Sequence, residues 1–168
     1  MTYILSPGST DQSGALISEC GSYRYLLWRK WGGSLDGFLS FIMLNPSTAD
    51  ALEDDPTIRR CIAFAKREGL GGIRVVNLFA YRSTDPAALR RVSDPIGPHN
   101  DNFIKAQIYP GRAIVVAWGA VSFQERIQQV LDMLREHGRP YCLGTTKNGS
   151  PRHPLYLPAS TPLVSFPL

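Results

Sequence analysis

Three short stretches hold the side chains best suited to chemistry. In "FLSFIMLNPSTAD" an apolar run from Phe38 to Leu44 ends abruptly in Asn45, Pro46, Ser47 and Thr48. In "VVNLFAYRST" a second apolar run delivers Asn77, with Phe79, Tyr81, Arg82 and Ser83 behind it. In "TTKNGSPRHPLYL" Lys147, Ser150, Arg152 and His153 precede Leu155. An asparagine amide presents a donor and an acceptor in one plane, which suits reading the edge of a heterocycle. An imidazole can donate to a group that is gaining negative charge. Hydroxyls, loop amides and guanidinium groups suit phosphate oxygens. Each has a plainer reading beside it. Asn-Pro starts turns, a strand-end amide can be a satisfied buried group, and His153 can be a surface histidine in a proline-rich loop.

For these stretches to act together, the elements before them must end at one edge. Residues 14–31, "GALISECGSYRYLLWRKW", read as two strands about Gly21-Ser22, a hairpin signal. "GFLSFIMLN" is a continuous apolar strand. "DDPTIRRCIAFAKREG" is a helix with Asp55 as its cap, Pro56 in its first turn and Gly69 at its end. A second strand is predicted from about Ile73 to Leu78, then short helices in "DPAALRRV" and "GPHNDNFIKAQI". A third strand in "RAIVVAWG", an amphipathic helix in "SFQERIQQVLDMLREHG" and a fourth strand in "PYCLG" follow. Apolar strands alternating with helices predict an α/β fold whose parallel sheet is covered on both faces. Right-handed crossovers make it a three-layer α/β/α sandwich, with a four-stranded parallel central sheet and an N-terminal β-hairpin. Ligands bind such sheets outside the carboxyl ends of the strands. The loops after Leu44, Leu78, Trp118 and Gly144 would gather there.

Composition sets the outer limits. The 168 residues suit a single domain over 1–168, and 43% hydrophobic with 19% charged residues is ordinary for a globular protein. No apolar run approaches the roughly 20 residues of a membrane helix. No basic start with a long apolar stretch marks a leader, so the expected location is the cytoplasm, with no membrane partner. Cys20, Cys61 and Cys142 are odd in number and form no CxxC pair. All three are read as small buried apolar residues rather than as a disulfide framework or metal site. The acidic run Glu53 to Asp55, with Asp50, could ring a metal, but a capped helix start accounts for it. No metal and no cofactor are expected. A net charge of +4 with a pI near 9.1 permits a nucleic-acid or phosphate partner without demanding one.

The phrases "MLNPSTAD", "NLFAYRSTDP", "AWG" and "GSPRHPLYL" resemble a bacterial and phage family catalogued as a domain of unknown function, number 1643. The resemblance runs over most of residues 20–158, and the family name brings no activity with it. More distantly, strand order and loop chemistry resemble the uracil-DNA glycosylase superfamily. Its first motif, Gly-x-Asp/Asn-Pro, is matched by Asn45-Pro46 with Met43 in place of glycine. Its strand-end asparagine is matched by Asn77, and its His-Pro-Ser motif by His153-Pro154, with Leu155 where serine is usual.

That resemblance implies a glycosylase-like fold and a hydrolase that cleaves the N-glycosidic bond of a flipped base, leaving an abasic site. Asn45 would orient a water beneath the sugar C1′, and His153 would stabilise the departing base. Asn77 would read the base, and Phe79, or less well Tyr81, would stack on it. Ser47, Thr48, Arg82, Ser83, Lys147, Ser150 and Arg152 would hold phosphates, and Leu155 would enter the duplex as a wedge. Core packing competes for Phe79 and Tyr81, and is the favoured role of Trp118. His99 and His137 fall in helical stretches, outside the site. An asparagine is a poor base, so a damaged or modified pyrimidine, such as those of phage genomes, fits better than plain uracil. The implied partner is DNA, and the protein would act as a monomer. Two other readings stay open: a non-catalytic reader of modified nucleic acid, and an enzyme acting on free nucleosides or nucleotides. Lys147, Arg152 and Leu155 around the histidine favour DNA.

Overall fold

A computed structural model describes residues 2–32, 37–109, 111–137 and 139–168, the side chain of His137 excepted. Among the described residues the chain forms one eight-stranded mixed sheet and three α-helices. The strands are β1 (Tyr3–Leu5), β2 (Ser13–Ser18), β3 (Arg24–Lys30), β4 (Leu39–Met43), β5 (Gly72–Asn77), β6 (Ala113–Val116), β7 (Tyr141–Cys142) and β8 (Val164–Ser165). Their order across the sheet is β1-β2-β3-β5-β4-β6-β7-β8. The helices are α1 (Pro56–Arg67), α2 (Asn100–Gln107) and α3 (Gln124–His137). None is long and apolar enough to cross a membrane.

This overturns the four-stranded parallel sheet in a three-layer sandwich with an appended hairpin. β5, β4, β6 and β7 do run parallel, but only as the middle of a larger sheet. β3 pairs antiparallel with β5, Leu27 opposite Val75 and Arg29 opposite Ile73, so the N-terminal strands continue the sheet. At the other side β8 pairs antiparallel with β7. The cause is the need of every strand edge for hydrogen-bond partners. β1 and β8 meet that need with short segments exposed throughout, so no apolar alternation announces them. The helix expected in "DPAALRRV" is a 3-10 turn, Pro86–Arg90.

Burial explains the continuous apolar strand. Leu39, Phe41 and Met43 of β4 join one core with Ile58, Cys61 and Phe64 of α1. Ile42 joins a second core with Ile104 of α2 and Val130 and Leu134 of α3. A strand packed on both faces has no room for polar alternation. Helix α1 starts where Asp55 accepts from the Ile58 amide at 2.8 Å, with Pro56 next. It ends with Lys66 and Arg67 in its last turn and Gly69 at φ +73°, a left-handed exit.

Cysteine burial holds for Cys61 and Cys142 but not for Cys20, which is exposed in the turn after β2. Its thiol sits 3.3 Å from Ser18 Oγ, and that contact, with lesser ones to Ser22, brings it down to about 7.

Candidate functional site

A cavity of about 230 Å³ opens at the carboxyl ends of β4 and β5. Asn45 from the loop after β4, Asn77 at the end of β5 and His153 from a later loop all line it. Asn45 follows β4, where the ladder to the β5 segment continues beyond the strand: Leu78 N donates to Met43 O at 2.8 Å and Phe79 N to Leu44 O at 3.0 Å. Asn45 Nδ2 donates to Pro46 O at 3.1 Å and Ser83 O at 2.9 Å. The amide nitrogen is committed, and Oδ1 is the acceptor left for a water or ligand.

Asn77 closes β5 and is 2% exposed. Its carbonyl accepts from Asn100 Nδ2 at 2.9 Å, while its own Nδ2 is buried without a partner. Leaving a buried donor unmet costs about 1–3 kcal/mol. Asn77 lines the cavity wall, with this unpartnered nitrogen just beneath its surface.

His153 is held by its neighbours. Gly119 N donates to Pro151 O at 3.0 Å and Arg152 N to Gly144 O at 3.0 Å. Gly119, at φ +80°, packs closely beneath the histidine; a Cβ there would lie 3.5 Å from His153 Cβ. The Leu155 amide donates to His153 Nδ1 at 3.3 Å, which places the proton of the neutral ring on Nε2. Burial pulls the imidazole below its ordinary value, and the Asp55 charge opposes this. The ring is therefore a neutral Nε2–H donor at neutral pH.

The two charged residues that line the cavity, Asp55 and Arg24, stand outside the predicted set. Asp55 was assigned to capping alone. It does cap α1, but it also lines the cavity, with Oδ2 accepting from Ser47 Oγ at 2.9 Å. The signal was present: a cap on the helix after β4 stands at the same sheet edge as Asn45. Arg24, at the start of β3, is 3% exposed and also lines the cavity. Its one local sign was a charge next to the apolar run of β3. The remaining acids do not converge: Asp50 accepts from the amides of Leu52 and Glu53, and Asp54 pairs with Arg29 at 2.8 Å.

The other predicted residues divide. Ser47, Thr48, Tyr81, Arg82 and Ser83 line an adjoining trough of about 350 Å³, which shares Ser47, Ser83 and Thr84 with the cavity. Phe79 is elsewhere. Regular alternation stops with β5 at Asn77, and Phe79 turns into the second core, 4.8 Å from the Phe123 ring. Trp118 belongs to that core and also touches the cavity. Lys147 and Arg152 are exposed, Ser150 closes the turn to Thr146, and none of these nor Leu155 lines the cavity. The aromatic at its mouth is Tyr156, 82% exposed, with its ring 5.9 Å from that of His153. His99 sits against the rings of Tyr3 and Tyr25, apart from the cavity. The side chain of His137 lies outside the described residues.

Among known families, residues 24–155 match the one described as Protein of unknown function (DUF1643). The matched segment takes in Arg24, Asn45, Asp55, Asn77 and His153. No curated protein and no solved structure matches the chain.

Proposed function

The chain belongs to the DUF1643 family, whose description names no reaction, and from the chemistry of its cavity we propose a DNA glycosylase-like hydrolase acting on a flipped, damaged or modified pyrimidine. The observation that carries this is the meeting of Asn45, Asn77 and His153 around one cavity of about 230 Å³. Drug-sized ligands occupy roughly 300–1,000 Å³, so this cavity suits a single heterocycle. The order of the motifs, which resembles that of the uracil-DNA glycosylase superfamily, supports the same reading.

In this reading the base enters the cavity and Asn77, whose buried Nδ2 has no partner, turns it to pair with the edge of the base. Asn45 Oδ1 holds the water that attacks C1′. As the C1′–N bond breaks, the sugar gains positive charge and the base gains negative charge. The Asp55 carboxylate favours the first, and the Nε2–H of neutral His153 favours the second. The water oxygen bonds to C1′, its proton ends on the released base, and an abasic sugar remains. The trough of Ser47, Thr48, Arg82 and Ser83 takes backbone phosphate, and Tyr156 replaces Phe79 as the stacking ring.

The test is incubation with duplexes carrying a panel of damaged and modified pyrimidines, then alkaline cleavage at abasic sites. Cleavage opposite one modification is expected, reduced in both Asn45→Ala and His153→Ala. Losing one donor to a developing anion commonly costs about 2.7–4 kcal/mol of barrier. No abasic site from any duplex, or both variants at the wild-type rate, refutes the mechanism. Asn45 is an amide and cannot take a proton from water. Tight binding of one modified base without release would therefore make the protein a reader of modified DNA.

A further inference from the structure

Three arginines are buried in this fold, and two are fully engaged. Arg126 donates from Nε to Leu78 O at 2.8 Å, from Nη1 to Gln129 at 3.2 Å, and from Nη2 to Asp101. Arg29 donates from Nε to Asp54 at 2.8 Å and from Nη1 to Trp28 O at 2.8 Å, with Nη2 on the carbonyls of Asp50 and Glu53. Arg24 is equally buried and differs from both. Among the described residues only Nη1 finds an acceptor, Ala49 O. Its Nε is sealed without a partner, and it forms no ion pair among the described residues. Asp55 and Asp50 favour its charge only through space, and the Asp55 oxygens accept instead from the Ile58 amide and the Ser47 hydroxyl. Arg82, whose Nε is also buried without a partner, adds a repelling charge.

Burial lowers Arg24 to about 10, so it remains charged at neutral pH. A buried charge with no direct ion-pair partner is costly, and Asp55 in the same cavity wall, with Asp50, offsets that cost only in part and through space. Nε and Nη2, neither of which donates to a described residue, are one prong pair of the fork that grips a carboxylate or phosphate through two parallel bonds; Nε has no open surface, so Nη2 is the prong that meets a ligand first. The residue lines the cavity that holds Asn77, His153 and Asp55, and none of these pairs with it directly.

We propose that Arg24 is the oxyanion receptor of this cavity, completed by a negatively charged oxygen group on the ligand. The proposal rests on the cavity holding a pyrimidine, and it narrows that reading to ligands that carry an oxyanion. The oxyanion is either a carboxylate on the ring or the phosphate of its own nucleotide.

Thermal unfolding of the full chain tests it, because a ligand that binds only the folded state raises Tm. The probes are 5-carboxyuracil, uracil, uridine 5′-monophosphate and inorganic phosphate, each at the same millimolar concentration. The proteins are wild type, Arg24→Met, Arg24→Gln and, as a structural control, Arg126→Met. A ring carboxylate predicts that 5-carboxyuracil raises the wild-type Tm more than uracil does. A nucleotide phosphate predicts that the monophosphate and inorganic phosphate do so instead. Either preference should vanish in both Arg24 variants. Without ligand, Arg24→Met should melt at or above the wild type, since an unpaired charge is removed, whereas Arg126→Met should melt several degrees lower. The proposal is overturned if no anionic probe outdoes uracil, if the preference survives in the Arg24 variants, or if Arg24→Met melts as low as Arg126→Met. Base release from DNA is read separately. Release with no role for Arg24 sinks the receptor alone, and Arg24-dependent anion binding without release sinks the glycosidic reading alone.

Discussion

Asp55 is asked to do two things, and two substitutions separate them. Its Oδ1 caps α1 through the Ile58 amide at 2.8 Å, and its Oδ2 holds the Ser47 hydroxyl at 2.9 Å. Asp55→Ala removes both. Loss of an N-cap costs about 1 kcal/mol, and loss of the half-buried Ser47 hydrogen bond, taken at the ordinary value because solvent screens the charge, about 1 more. In a chain of 168 residues each kcal/mol shifts Tm by about 2–4 °C, so Asp55→Ala should melt about 4–8 °C below the wild type. Asp55→Asn keeps a capping oxygen of nearly equal quality, and its amide can still bond Ser47. It loses only the charge at the helix start, about 0.3–1 kcal/mol, or about 1–4 °C.

Catalysis should not follow that ranking. A carboxylate roughly 5 Å from a cationic sugar, at an effective dielectric of about 20, is worth about 3 kcal/mol. That is on the order of a hundredfold in rate, and both variants lose it. Thermal unfolding followed by circular dichroism gives the first comparison, and alkaline cleavage of a processed duplex gives the second. Release by Asp55→Asn at the wild-type rate would show that the charge has no part in the chemistry. Equal melting of the two variants would refute the capping argument.

Three further outcomes are expected. Phe79→Ala should cost about 3–5 kcal/mol of stability by urea unfolding, because its ring fills the second core; Tyr156→Ala should leave stability intact and weaken base binding by about 1–3 kcal/mol. Burial holds His153 below its ordinary 6.5 in the folded state, so between the folded value and 6.5 the unfolded chain binds more protons. Stability should therefore fall as pH drops through that window and be flat above it, and urea midpoints of His153→Gln should lack this slope. Binding to DNA should weaken as salt rises, and neutralising Arg82, Lys147 or Arg152 should each reduce the log–log salt slope by about 1 in a fluorescence titration if that residue meets a phosphate.

The parts of the site legible in the sequence are those fixed by where apolar runs stop. Asn45 and Asn77 end buried parallel strands, so their positions at one edge follow from the strands themselves. His153 is tied to that edge by a proline-flanked loop. Phe79 misled because a period of two holds only within a strand, and β5 ends two residues earlier. The sheet was read too small for a related reason. β1 and β8 bury no side chain, so their membership is carried by backbone hydrogen bonds, which leave no trace in residue type. Asp55 was legible as a cap, and the cap itself fixes its place: the start of the helix that follows β4 must stand beside the loop that Asn45 begins.

Arg24 shows a limit of another kind. A sequence displays which residues carry charge but not which charges are paired. Arg29 finds Asp54 and Arg126 finds Asp101 across 25 residues in each case, and no local pattern encodes either pair. Arg24 sits where β3, added antiparallel to β5, brings the start of the chain against the loops after β4 and β5. In that place the informative feature is the absence of a carboxylate partner among the described residues. An unpaired guanidinium on the surface would mean little, since water solvates it. Arg24 is instead buried in the wall of the cavity beside an unpartnered amide, a neutral imidazole and an Asp55 carboxylate that acts on it only through space. On the proposed receptor role, the group that enters would supply an acceptor to Asn77 and a negative charge to Arg24 together, a narrower demand than either residue makes alone.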